Sequence, residues 1–189
     1  MGVMLGRMDL MEETQFEIGQ LVVYANNGIC TVEKIEVMSF TAGMPKELYY
    51  VLRQKKNSAT QFFVPVKNEK LTSKLRPLMQ KEDIDDILMG LTDGDAVEWI
   101  PDRRQRTEYF KSILFEGVSG KLLNMIICIY QRKRQLDREG KKLPVTECTM
   151  LKSAERLVQE EFEYVLGLEA EEVPKYIRKR LHIQEDWNE

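Results

Sequence analysis

From Phe16 to about Pro77 the apolar positions come in short runs, rich in β-branched and aromatic residues and separated by turn residues. That is the pattern of strands. "QLVVYA" is the first run, and "NNG" after it supplies Asn27 and Gly28, residues that accept positive φ in a tight turn. "ICTVEKIEVMSF" then alternates loosely, with Ile29, Thr31, Glu33, Ile35 and Val37 on one side and Cys30, Val32, Lys34, Glu36 and Met38 on the other. "TAGMPK" is a turn, "ELYYVLRQ" a third strand, "KKNSA" a turn and "TQFFVPV" a fourth strand. Short strands joined this way predict a small, strongly bent antiparallel sheet or an open barrel.

From Lys81 the spacing changes to that of helices. Ile84, Ile87, Leu88 and Leu91 form one stripe over Asp83 to Leu91. "TDGDAVE" reads as a polar connector. A helix is expected after Trp99-Ile100-Pro101-Asp102, ending near Glu116 before Gly117. Ser119 is placed to cap a long helix that ends near Glu139 at Gly140. Pro144 and Thr146 open another, which Gly167 closes, and a last one runs from Glu171 to Leu181. Leu122, Leu123, Ile126, Ile127 and Tyr130 are the stripe that would pack a bundle. The fold class is therefore α+β. The segments are an extension over 1–15, a sheet domain over 16–78, a short helix and connector over 79–98, and a helical domain over 99–189.

Composition narrows the chemistry. With 189 residues, 43% hydrophobic and 31% charged, the chain is globular and can bury a core. No apolar run approaches the ~18 residues of a membrane span, and Met1 to Met11 lacks the pattern of a signal peptide. Cys30, Cys128 and Cys148 are widely spaced and contain no CxxC pair, so they read as small buried apolar residues rather than disulfide or zinc ligands. His182 is the single histidine, which leaves little room for triad or zinc chemistry. No phosphate-cradling glycine loop is present. Asp83, Asp85 and Asp86 could be read as metal-binding carboxylates of a hydrolase, or as residues that cap and solvate a helix. The expectation is a protein that is not an enzyme, with no cofactor, no metal and no small-molecule substrate.

The net charge of −3 hides a segregation. Lys81 to Asp102 carries one base against eight acids, a net of −7, while Arg103 to Lys142 carries eleven bases against four acids, a net of +7. A basic block between acidic ones can present a local positive face.

Taken together, Phe16, Gly19, Gln20, Val22, Val23, Tyr24 and Gly28, then "YYVL" at Tyr49 to Leu52 and "FFVPV" at Phe62 to Val66, resemble the CarD/CdnL family of bacterial transcription regulators. A Trp followed by an arginine-rich helix extends the resemblance to about Gly167. The N-terminal module also occurs in transcription-repair coupling factors, which are far longer ATPases. The resemblance implies a Tudor-like sheet domain that binds the β subunit of RNA polymerase by adding its edge to a partner strand. It also implies a helical domain that lies on promoter DNA at the upstream edge of the bubble and stabilises the open complex. A cytoplasmic, nucleoid-associated location follows from that role.

Residues are assigned to these roles as follows. An exposed strand edge offers a row of N–H and C=O groups to a partner strand. The candidate polymerase contacts are Val37, Met38, Ser39, Arg53, Gln61, Phe62 and Phe63. Met38 and Phe63 stand where the family usually has arginines, and Phe62, Phe63 and Met38 can equally be read as core of the small sheet. The candidate DNA contacts are Trp99, Arg103, Arg104, Arg106, Arg132, Lys133 and Arg134. An indole can wedge into the minor groove, and guanidiniums match phosphate oxygens. The plain alternatives are a Trp that caps the bundle and arginines that pair with Glu98, Asp102 or Glu108 on a solvated face. Glu160, Glu161 and Glu163 read as a solvated face. A polymerase adaptor that does not bind DNA is the second functional reading.

Overall fold

The computed structural model describes residues 14–40, 43, 45–92 and 97–181. Expectations for most of the N-terminal extension, for much of the turn after Phe40, for the centre of the connector and for His182 lie outside them. The chain is α+β and divides into two compact units between Leu78 and Met79.

The first unit is a five-stranded antiparallel sheet: β1 (Leu21–Tyr24), β2 (Ile29–Met38), β3 (Glu47–Gln54), β4 (Gln61–Pro65) and β5 (Leu75–Pro77). Its spatial order is β4-β3-β2-β1-β5. A short helix, α1 (Glu69–Thr72), leads into β5. Neither α1 nor β5 is foreshadowed in the sequence, because three or four residues are too few to show a period. β5 pairs with β1, Val23 opposite Arg76.

The turn before β2 differs in detail from the expected one. The positive φ values fall on Ala25 and Gly28, at 47° and 77°, and not on Asn27. The loose alternation of β2 has a cause as well. Val32 pairs with Leu52 but Lys34 pairs with Val51, so a β-bulge lies between them. A bulge inserts one residue and shifts the side-chain alternation across it. Val32 and Ile35 thereby both reach the core, which gathers Phe16, Val22, Cys30, Val32, Tyr50, Leu52, Val64 and Leu75. Tyr50 is 1% exposed, and its hydroxyl accepts the backbone N–H groups of Gln15 and Phe16 at 2.7 and 3.3 Å, which ties the chain entrance to the sheet.

The second unit is helical: α2 (Lys81–Thr92), α3 (Arg103–Glu116), α4 (Ser119–Arg138), α5 (Val145–Leu166) and α6 (Val173–Arg180). α2, the expected short helix, packs in this bundle: Ile84 and Leu88 are fully buried beside Phe110, Leu122, Met125, Ile129 and Phe162. Each such side chain contributes about 1.5–3 kcal/mol of burial. Gly117 and Gly167 end α3 and α5 in the left-handed region, at φ 66° and 64°. Asp102 caps α3 by accepting the Gln105 N–H at 2.8 Å.

Two expectations fail here. Ser119 does not cap α4; the N-cap is Val118, and the Ser119 hydroxyl donates instead to Glu161 Oε2 at 2.7 Å. Glu160 and Glu161 are not solvated: they are 4% and 2% exposed. Glu161 also accepts the Met79 N–H at 3.2 Å, so one buried carboxylate holds the starts of two helical segments. Buried polar groups persist where such partners satisfy them.

Candidate functional site

The polymerase-contact candidates of the sheet do not form one edge. β4 is an outer strand whose far side pairs with nothing among the described residues. β2 is an inner strand, but β1 reaches only as far as Thr31, so Lys34–Met38 pair with β3 alone. Val37 is 46% exposed and Met38 and Ser39 lie at the end of this overhang.

What joins the two segments is a face. Phe63 sits opposite Val51 in the β3–β4 register, two residues from Tyr49 on the same side of β3. Phe40 packs edge-on against both rings, 5.3 Å from Tyr49 and 5.1 Å from Phe63. Phe40 remains 61% exposed and Phe63 41% exposed. Phe40 closes an expected edge segment, Val37 to Phe40, and Tyr49 opens the "YYVL" run, but only the register and packing reveal that their rings meet. Phe62 points the other way. It packs into the sheet core, its ring 5.4 Å from Tyr24, so its assignment to a partner contact is corrected.

Arg53 and Gln61 lie on the exposed face but are already engaged. Arg53 donates to both Glu33 oxygens at 2.7 and 2.8 Å and to the Ser58 carbonyl, and Gln61 donates to Glu33 at 2.7 Å. The Arg53 guanidinium holds the Glu33 carboxyl below the usual carboxylate range.

In the helical unit, Trp99 is half-buried against the core, edge-on to Phe110 at 6.2 Å. The Arg106 guanidinium lies over its ring at 4.3 Å and that of Arg132 at 5.6 Å. Arg106 is 5% exposed. It donates to Glu147 Oε1 at 2.9 and 2.6 Å and to the carbonyls of Ile100 and Pro101 at 2.8 and 3.1 Å. Every arm of that guanidinium is committed inside the unit. Arg106 is therefore corrected from a phosphate contact to a residue that fixes the backbone beside Trp99. Its partner Glu147 is 1% exposed and was missed, since 41 positions separate the two and nothing local marks the pair.

Arg103 and Arg104 stay outside, in the first turn of α3, and the Arg104 side chain is 88% exposed. Cations there oppose the helix dipole. The pairing of Arg104 with Glu108 at 3.1 Å is a surface pair of little worth. Arg132, Lys133 and Arg134 share the end of α4, but consecutive helical residues point about 100° apart, and of the three Arg132 is the one over Trp99. Arg132 Nε and Glu147 Oε2 are buried with no hydrogen-bond partner among the described residues.

The acidic residues of α2 serve the helix. Asp83 accepts the Gln80 N–H at 2.7 Å, and Asp85 binds the Tyr176 hydroxyl at 2.6 Å and Arg180 at 3.0 Å. Among the described residues no group of three metal-ligating side chains is assembled, and no helix is long and apolar enough to cross a membrane. Cys30 and Cys128 are buried and Cys148 half-buried, none of them in a disulfide; burial pushes the Cys128 thiol up.

No curated protein compared with this chain matches it. One family model does: residues 16–79 match the CarD-like/TRCF RID domain, which covers the whole of the five-stranded sheet. That module is an RNA polymerase-interacting, transcription-related domain. Residues 16–79 thus carry the CarD-like module that transcription-repair coupling factors share.

Proposed function

We propose that this chain is a transcription regulator that docks on the β subunit of bacterial RNA polymerase through its sheet. Its helical unit then engages promoter DNA at the upstream edge of the bubble and stabilises the open complex. The observation that carries the reading is the family match over a sheet whose outer strand β4 keeps one side open. An open strand side binds another strand through main-chain hydrogen bonds. The DNA half rests on Arg103 and Arg104. They are exposed at a helix start where they do little for the fold, and guanidiniums there suit phosphate oxygens. Trp99, half-buried and flanked by two guanidiniums, is the apolar group closest in character to a groove wedge. Arg106 positions it by holding the Ile100 and Pro101 carbonyls. No catalytic step, cofactor or small-molecule substrate is assigned, and the setting is the cytoplasm, at the nucleoid.

The test is a pull-down of the full chain with the isolated polymerase β-subunit lobe, followed by the lifetime of open complexes. Capture and a longer lifetime are expected; no capture would overturn the reading. A polymerase adaptor without DNA contact is the second reading. It is favoured by the burial of Arg106 against Glu147 and the packing of Trp99 on the bundle, which remove two expected DNA contacts from easy reach. A gel shift with forked promoter DNA at low salt separates them: a shifted band sinks the adaptor.

A further inference from the structure

We infer that this chain recognises its polymerase strand by apolar contact at the Gln61–Phe63 rim of β4, read by the Phe40–Tyr49–Phe63 aromatic cluster, and not by charge. This rests on the proposed docking to RNA polymerase and names the rim and the chemistry.

The rim follows from the ladder. Gln54 donates its N–H to Thr60, and Val66 donates to Leu48, in the same register that sets Tyr50 opposite Val64 and Leu52 opposite Phe62. Antiparallel ladders alternate, so Thr60, Phe62, Val64 and Val66 turn their backbone groups toward β3. Gln61, Phe63 and Pro65 turn theirs outward. Gln61 and Phe63 each present an N–H and a C=O to an incoming strand. Pro65 presents a carbonyl only, having no N–H.

Side chains beside that rim are of two kinds. The polar ones answer one another: Glu33 is gripped by Arg53 and Gln61, leaving no net charge for a partner to read. Lys34 and Glu36, exposed on β2 beyond β3, carry opposite signs. The apolar ones are not answered. Phe40 and Phe63 touch yet stay 61% and 41% exposed. Contiguous exposed rings on a globular unit mark an interaction surface. A strand added to β4 sets one side chain directly across from Phe63, about 5 Å away, on the same face as the cluster. An aliphatic or aromatic residue at that position, with small or polar neighbours two residues either side, is the partner that fits.

The experiment measures binding of the full chain to the isolated polymerase β-subunit lobe at about 50 and about 500 mM salt, a range in which exposed charge pairs are strongly screened. The parent is expected to lose less than about threefold. Phe63→Gln and Phe40→Gln should each weaken binding about tenfold at both salts, because aromatic anchors dominate interfaces. Gln61→Pro removes one outward N–H without touching the β3 ladder and should also cost about tenfold. Gln61→Ala, which keeps that N–H, should bind nearly as the parent. A parent that binds but collapses at high salt, or binding indifferent to Phe63→Gln, overturns the apolar reading while leaving polymerase docking intact. Gln61→Pro binding like Gln61→Ala overturns the choice of rim. A parent that never binds the lobe overturns the proposed function, and this inference with it.

Discussion

The sheet rim and the Trp99 region are both aromatic and both carry arginine, yet they handle their charges in opposite ways. At the rim, Arg53 pairs with Glu33 on the surface and the aromatic rings stay outside. Around Trp99, the strongest ion pair is inside: Arg106 and Glu147 are 6% and 1% exposed in their side chains, and the indole lies beneath two guanidiniums. The rim thus keeps apolar surface in solvent. The Trp99 region spends part of its cationic content on its own architecture, while the exposed Arg103 and Arg104 lie one turn away on α3. Charge counted along the sequence therefore overstates what the helical unit can offer to phosphate.

The sharpest way to break this contrast is to remove one partner of each pair. Glu147→Ala leaves a buried guanidinium uncompensated and should cost about 3–5 kcal/mol. Arg106→Met/Glu147→Leu together should recover most of it. Chemical denaturation checks both, and a loss under about 1 kcal/mol for Glu147→Ala would place that ion pair on a level with the surface one. Glu161→Ala strips the partner from the Met79 N–H and the Ser119 hydroxyl and should cost about 2–4 kcal/mol. Trp99→Ala should cost about 2 kcal/mol, less than a fully buried ring, and should also shorten the lifetime of open complexes. A stability loss without any change in lifetime would reduce the indole to a bundle cap. Arg104→Glu should leave stability within about 0.5 kcal/mol but flatten the salt dependence of DNA binding by about one unit of slope. An unchanged slope would mean that Arg104 is only solvated. The Arg53–Glu33 pair is the mildest lever. Glu33 has its carboxyl lowered by Arg53, so its contribution is full above the ordinary carboxylate range and fades as pH falls below it. Melting of Glu33→Gln should differ from the parent near neutrality and converge with it in acid.

Much of the architecture was legible in the sequence because its signals are local. β-Branched runs marked four strands, and Gly117 and Gly167 marked helix ends by the left-handed conformation they adopt. What escaped was long-range or very short. β5 spans three residues and is recognisable only by its pairing with β1. The bulge after Val32 appeared in the sequence as mere irregularity. Glu161 read as a surface acid and Glu147 drew no reading at all, since their partners Ser119, Met79 and Arg106 are distant along the chain. The same limit applies to the sites. Arg104 lies exposed, as a phosphate contact requires, whereas Arg106, two residues on, is buried. A helix turns through about 200° in two residues, enough to carry a side chain from solvent to core.

Pro65 sets a boundary on what β4 can do. Open strand sides invite indefinite growth of sheets, and imino residues interrupt it. With Pro65 closing the strand and the overhanging half of β2 two strands away across β3, an incoming segment finds only a short track before its donors run out. On the proposed docking, the surface would be rationed to a single brief guest: long enough to be gripped, too short to template a second copy of itself.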